Sequence, residues 1–105
     1  MVRAADKVWV VPSRGGEPHP AIIIRISADG RHALVLSGTG TGPRDDIPHE
    51  VVDPKRRMGM ALGLSKTTYF YQTAVHVRLV DELDVRGSRP IRCPLSLWEK
   101  LQKLA

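Results

Sequence analysis

An Asp29-Gly30 pair stands between two short apolar runs, Ala21-Ile22-Ile23-Ile24 and Leu34-Val35-Leu36. Asp-Gly flanked by aliphatic runs is a strong hairpin signal, because glycine enters the positive-φ turns whose twist matches paired strands. Strands are therefore expected over residues 21–27 and 32–37, side by side. Three isoleucines in a row leave no polar face, so residues 22–24 are expected to be buried on both sides of the sheet, or nearly so. His19 lies between Pro18 and Pro20 just before the first run, and Gly38-Thr39-Gly40-Thr41-Gly42 follows the second. Pairing the runs brings His19 and Ser37 towards one end of the same ladder, an imidazole beside a cluster of hydroxyls.

The remaining chain reads mostly as β. Lys7-Val8-Trp9-Val10-Val11 is a strand ended by Pro12, and residues 13–18 form a loop rich in turn residues. Residues 47–52 form a short strand, placed at an edge or beginning by Pro48. Residues 54–63 read as a basic loop. Residues 66–71 alternate, with Thr67, Tyr69 and Tyr71 opposite Thr68 and Phe70. Residues 74–80 alternate again, with Val75, Val77 and Leu79 opposite His76 and Arg78. The two runs read either as separate strands or as one long bent strand. Ile91-Arg92-Cys93 adds a last short strand. The helix signal is confined to the end, where Leu97, Trp98, Leu101 and Leu104 form a stripe and Ser96 with Glu99 suggests a capping box. One domain over residues 1–105 is expected, mostly β, closed by a short C-terminal helix.

The net charge is +5, and arginine outnumbers lysine eleven to five. Arginine's planar fork matches phosphate, so a polyanion partner fits; solubility and coding bias are the plainer alternatives. Arg14, Arg25, Arg44, Lys55, Arg56, Arg57 and Lys66 are candidate phosphate contacts. Tyr69 and Tyr71 are candidate stacking platforms, or else part of a core or dimer face. His19 is a candidate acid or base, because imidazole exchanges protons near neutral pH. Ser37, Thr39 and Thr41 are candidate donors to phosphate or to a 2′-hydroxyl. A solvent-facing histidine and an ordinary loop are the alternatives for these.

Several chemistries are disfavoured. The Gly-Thr loop lacks the Gly-Lys-Ser/Thr ending and following helix of a phosphate-binding P-loop. His49-Glu50 has no second histidine four residues on, and the four histidines are scattered, so no metal and no cofactor is expected. Cys93 is the sole cysteine, so no intrachain disulfide forms, which fits a reducing cytoplasm. No run approaches the roughly 18 apolar residues of a membrane helix, and residues 1–7 lack a signal-peptide core. A cytoplasmic location is the expectation.

The order of these segments resembles the MazF/PemK-like family, toxin components of bacterial type II toxin–antitoxin systems. Asp6-Lys7-Val8-Trp9-Val10 looks like the family's opening Gly/Asp-x-Val-Trp/Tyr-x-Val strand. Pro18-His19-Pro20-Ala21-Ile22-Ile23-Ile24 occupies the place of Arg-Pro-Ala-x-Val. Leu34-Val35-Leu36-Ser37 matches a strand ending in Thr or Ser, and Ile47-Pro48-His49-Glu50-Val51 matches Leu-Pro-x-x-Val. Gly63-Leu64-Ser65-Lys66-Thr67-Thr68-Tyr69-Phe70 is similar to a Gly-Leu-x-x-x-Ser motif leading into a long strand. The resemblance implies an SH3-like β-barrel with a small helical part, usually a homodimer, and makes an acidic antitoxin a candidate protein partner. It implies metal-independent cleavage of single-stranded RNA, in which the 2′-hydroxyl attacks the adjacent phosphate. The family's catalytic roles fall on His19 and Ser37, with Arg14 or Arg25 supplying charge. On an RNA substrate, the contacts expected from the basic, hydroxyl and aromatic residues above are Arg25, Thr39, Thr41, Arg44, Arg56, Arg57, Lys66 and Tyr69. His19, a better proton carrier and a poorer phosphate clamp than arginine, stands where the family has arginine. A non-catalytic module on the same barrel, binding RNA, DNA or a peptide, is the alternative.

Overall fold

The computed structural model describes residues 2–11, 15–87 and 89–105. Six strands form one antiparallel, curled sheet: β1 (Asp6–Val10), β2 (His19–Ile26), β3 (His32–Thr39), β4 (His49–Val52), β5 (Thr68–Leu79) and β6 (Ile91–Arg92). Their order across the sheet is β4-β5-β3-β2-β1-β6. Two helices accompany them, α1 (Arg57–Ala61) and α2 (Leu95–Leu104). A 3-10 turn over Val80–Glu82 follows β5. Among the described residues no helix is long and apolar enough to cross a membrane.

The sheet is buried on both faces. On one face Ile22, Ile24, Leu36, Val52, Leu62, Phe70, Leu97 and Leu101 form a core under the two helices. On the other, Val8, Val10, Ala21, Ile23, Ala33 and Val35 form a second core, met by Val80, Leu83 and Val85. This accounts for the isoleucine run: Ile22 and Ile23 are fully buried and Ile24 nearly so, although neighbours on a strand point oppositely. The hairpin forms as the Asp29-Gly30 pair requires, with Gly30 at φ +72° and the Asp29 carboxylate accepting from the Arg31 amide.

Two irregularities set which side chains share a face. Across β2 and β3, Ile23 opposes Val35 and Arg25 opposes Leu34, so Ile24 is an extra residue. The bulge turns Arg25 onto the α2 side, among Leu34, Gln102 and Ala105. The larger irregularity is in β5. From Leu36 to Gly38, β3 advances two residues; from Val75 to Phe70, β5 advances five. The odd excess reverses the alternation, so Phe70 and Val75 both face the helices. His76 and Arg78 thereby reach the opposite face. The two alternating runs are thus one strand with a bend at Tyr71–Ala74.

Two local expectations are corrected. The basic stretch after Pro54 is not loop throughout: α1 forms at Arg57, and Leu62 at its end is fully buried. The capping box does not form. Pro94 is the N-cap of α2, its carbonyl accepting from the Trp98 amide at 2.9 Å, with no side-chain cap. Because the helix starts one residue before Ser96, that hydroxyl lies within the first turn and approaches Met58 Sδ at 3.8 Å.

Candidate functional site

The face carrying His76 and Arg78 also carries His19 and Ser37. Ser37 opposes Ala21, two residues from His19 on β2. His76 opposes Val35, two residues from Ser37 on β3. Ser37 is therefore a diagonal neighbour of both histidines, with backbone separations of about 7–8 Å in a regular ladder. Its hydroxyl donates a long hydrogen bond, 3.4 Å, to the Ala74 carbonyl inside the β5 bend. Arg78 Nη2 donates to the Val11 carbonyl at 3.4 Å, although β2 and β3 lie between β5 and β1. That span is possible only because the sheet curls. It places the guanidinium near His19, whose cross-strand partner is Val10.

These side chains line one cleft of about 560 Å³, with Val10, His32, Val77, Leu79 and Glu82 completing it. Three of the four histidines line it, against a single carboxylate in the lining. Imidazoles exchange protons, arginine holds phosphate, and a hydroxyl donates, so the cleft gathers groups capable of proton transfer and of anion binding. Among the described residues no group of three or more His, Cys, Asp or Glu side chains is placed to hold a metal ion.

A second cleft, of about 380 Å³, shares His19 as a wall. It is lined by Trp9, Pro18, Pro20, Thr39, Gly40, Ser65, Lys66 and Arg86, among others. Trp9 opposes Pro20 on the helix-facing side, so the two clefts lie on opposite faces and meet at the start of β2.

No family model and no curated protein matches this chain.

The structure divides the residues singled out from sequence. His19 and Ser37 share the first cleft; His19, Thr39 and Lys66 share the second. Arg14 lies outside the described residues. Arg25 is turned away by the β2 bulge. Arg56 lies beside α1 and α2, with Glu50, Asp53 and Lys100, and Arg57 begins α1 on the surface. Arg44 is paired with Asp46 at 3.0 Å on the surface. Tyr69 stacks with Tyr71 at 6.2 Å and lies near His49, in an aromatic cluster beneath Gly42. Tyr71 Oη donates to the Thr41 carbonyl at 2.9 Å and accepts from the Arg44 amide, holding that loop down. Thr41 is exposed, and its amide donates to Thr39 Oγ1.

Sequence reasoning did not single out His32, His76, Arg78, Trp9 or Arg86. The His76/Arg78 alternation was visible, but its phase relative to Phe70 depends on the length of the bend. Trp9 and Arg86 meet through an isolated bridge between Trp9 and Asp84, which no local pattern announces.

Proposed function

We propose that this protein is a metal-independent endoribonuclease of the toxin type, cutting single-stranded RNA by 2′-hydroxyl attack. The observation that carries the reading is the convergence of His19, Ser37, His76 and Arg78 in one cleft. One imidazole, His19, takes the proton from the 2′-hydroxyl as that oxygen forms a bond to phosphorus. His76, in its protonated form, gives a proton to the departing 5′-oxygen as the P–O5′ bond breaks. The products are a 2′,3′-cyclic phosphate and a free 5′-hydroxyl. Arg78 and the Ser37 hydroxyl offset charge on the non-bridging oxygens. Two imidazoles in opposite protonation states complete the proton balance without a metal.

The segment order resembling the MazF/PemK-like family supports the same reading, and the curled six-strand sheet with its terminal helix is compatible with an SH3-like barrel. The reading carries a homodimer and an acidic antitoxin as partners, in the cytoplasm. A net charge of +5 suits the acidic partner. The outer edge of β5 beyond its pairing with β4, with Val77 64% exposed, suits the dimer.

The test is incubation of purified protein with several single-stranded RNAs in EDTA, followed by mapping of the new ends. Cyclic-phosphate ends are expected. His19→Ala and His76→Ala are each expected to slow cleavage by about 10²–10⁴-fold. Intact RNA throughout, or unchanged cutting by both variants, refutes the reading. Salt-dependent binding without product identifies the non-catalytic module instead.

A further inference from the structure

We propose that the second cleft is a nucleobase subsite, in which one base of a bound single strand stacks on the Trp9–Arg86 pair. This rests on the nucleic-acid reading of the first cleft and adds a specificity-determining element to it.

The Trp9 indole carries two cations. Arg86 Cζ lies 4.1 Å from its ring centroid and Lys7 Nζ lies 4.9 Å away. Flat aromatic and guanidinium surfaces are what nucleobases stack on, and positive charge beside them favours a polyanionic strand. The pair is held in place. The Trp9 amide donates to the Asp84 carbonyl at 2.8 Å, and the Asp84 amide donates back to the Trp9 carbonyl at 3.2 Å. Arg86, two residues on, has φ +42°, a backbone state that non-glycine residues seldom adopt. The Asp84 carboxylate lies 3.6 Å from Arg86 Nε. Bridge, turn and ion pair together direct the guanidinium over the indole.

The opposite wall offers groups for the sugar and phosphate of the same nucleotide. Thr39, Ser65 and Lys66 supply two hydroxyls and an ammonium, with Glu17 the one carboxylate in the lining. The Lys66 chain lies against Gly40, where an added methyl would press on its Cε and Cδ. Glycine there leaves room for the lysine. At about 380 Å³ the cleft is within the size range of small-molecule pockets. His19 separates it from the first cleft, so a strand crossing the sheet end passes from the base subsite directly to the proposed scissile phosphate.

The experiment uses Trp98→Phe, which leaves Trp9 as the only tryptophan, and a tetranucleotide made uncleavable by 2′-O-methylation. Binding is read by calorimetry and stacking by Trp9 emission. Quenching that tracks the calorimetric isotherm is expected, together with little quenching by an abasic oligomer of equal charge. Arg86→Ala is expected to weaken the base-bearing oligomer about tenfold and the abasic one much less. Arg86 is exposed, and circular dichroism verifies that the variant folds. Calorimetric binding with unchanged Trp9 emission overturns the subsite and leaves the nuclease reading standing. Equal weakening of both oligomers by Arg86→Ala overturns it too, since that is the signature of a phosphate contact. Absence of any binding at low salt also overturns it, and the cleavage assay on unmodified RNA then judges the nuclease reading separately.

Discussion

Lys7 and Cys93 show how position alters a residue's chemistry. Lys7 is buried on β1, donates to the Leu62 carbonyl at the end of α1, and lies beside Arg86. Burial first, then repulsion from Arg86, lower its pKa from the usual 10.5. Cys93 is buried in the helix-side core, and burial pushes its thiol from 9.0 up to about 12. The folded state therefore keeps the Cys93 proton between pH 9 and 12 while the unfolded chain releases it. That contribution to stability is complete below pH 9 and is lost as pH rises towards 12. Lys7 acts in the opposite sense below 10.5, so the comparison must cancel it. Urea midpoints of wild type and Cys93→Ala, measured from pH 8 to 10.5, are expected to converge as pH rises. Parallel midpoints contradict the assignment. Thiol labelling at pH 8 is expected only in denaturant, because the reactive thiolate is suppressed in the fold.

At the scale of elements, α1 depends on contact rather than propensity. Five residues cannot form a stable helix alone, and Gly59 lies in its middle. A methyl group at Gly59 would overlap the Asp53 carbonyl and the turn at Pro54. The glycine is there because α1 packs on backbone. Gly59→Ala is expected to cost about 1–3 kcal/mol despite its better helix propensity, read by urea unfolding. A gain in stability would place α1 elsewhere. The same element explains one limit of the sequence. Residues 57–61 span little more than one turn and display no period, whereas α2 repeats its apolar stripe and was legible. Both strands of the Asp29-Gly30 hairpin were legible, and so was the meeting of His19 with Ser37. The other half of the cleft was not, because only the odd excess at Tyr71–Ala74 determines the face that His76 occupies. The bulge at Ile24 hid the placement of Arg25 for the same reason.

Considered whole, the two clefts meet at the end of the sheet where β2 begins. His19 joins two clefts on opposite faces, and Arg78, Lys66 and Arg86 lie around it. A single strand held across this end meets several cations at once. On the proposed RNA-binding reading, with about three phosphates neutralised, affinity for single-stranded RNA is expected to fall roughly tenfold to twentyfold between about 50 and 200 mM salt. Fluorescence anisotropy on an uncleavable strand measures that slope. Arg56→Ala with Arg57→Ala is expected to leave it nearly unchanged, since both lie by α1, away from either cleft. A large drop in slope would move the binding track to the helical side.

The bend in β5 also works as a check on folding. Its pairs with β3 are distant in sequence, His32 with Leu79 among them, and such contacts form slowly. While they form, the chain can try several registers. A slip of one residue beyond the bend would place His76 where Val75 packs beside Leu36, driving its imidazole against the helix-side core. The wrong register is thus disfavoured by the desolvation of a side chain that the right one leaves in the cleft. A polar residue of the cleft serves as the proofreader of the strand that carries it.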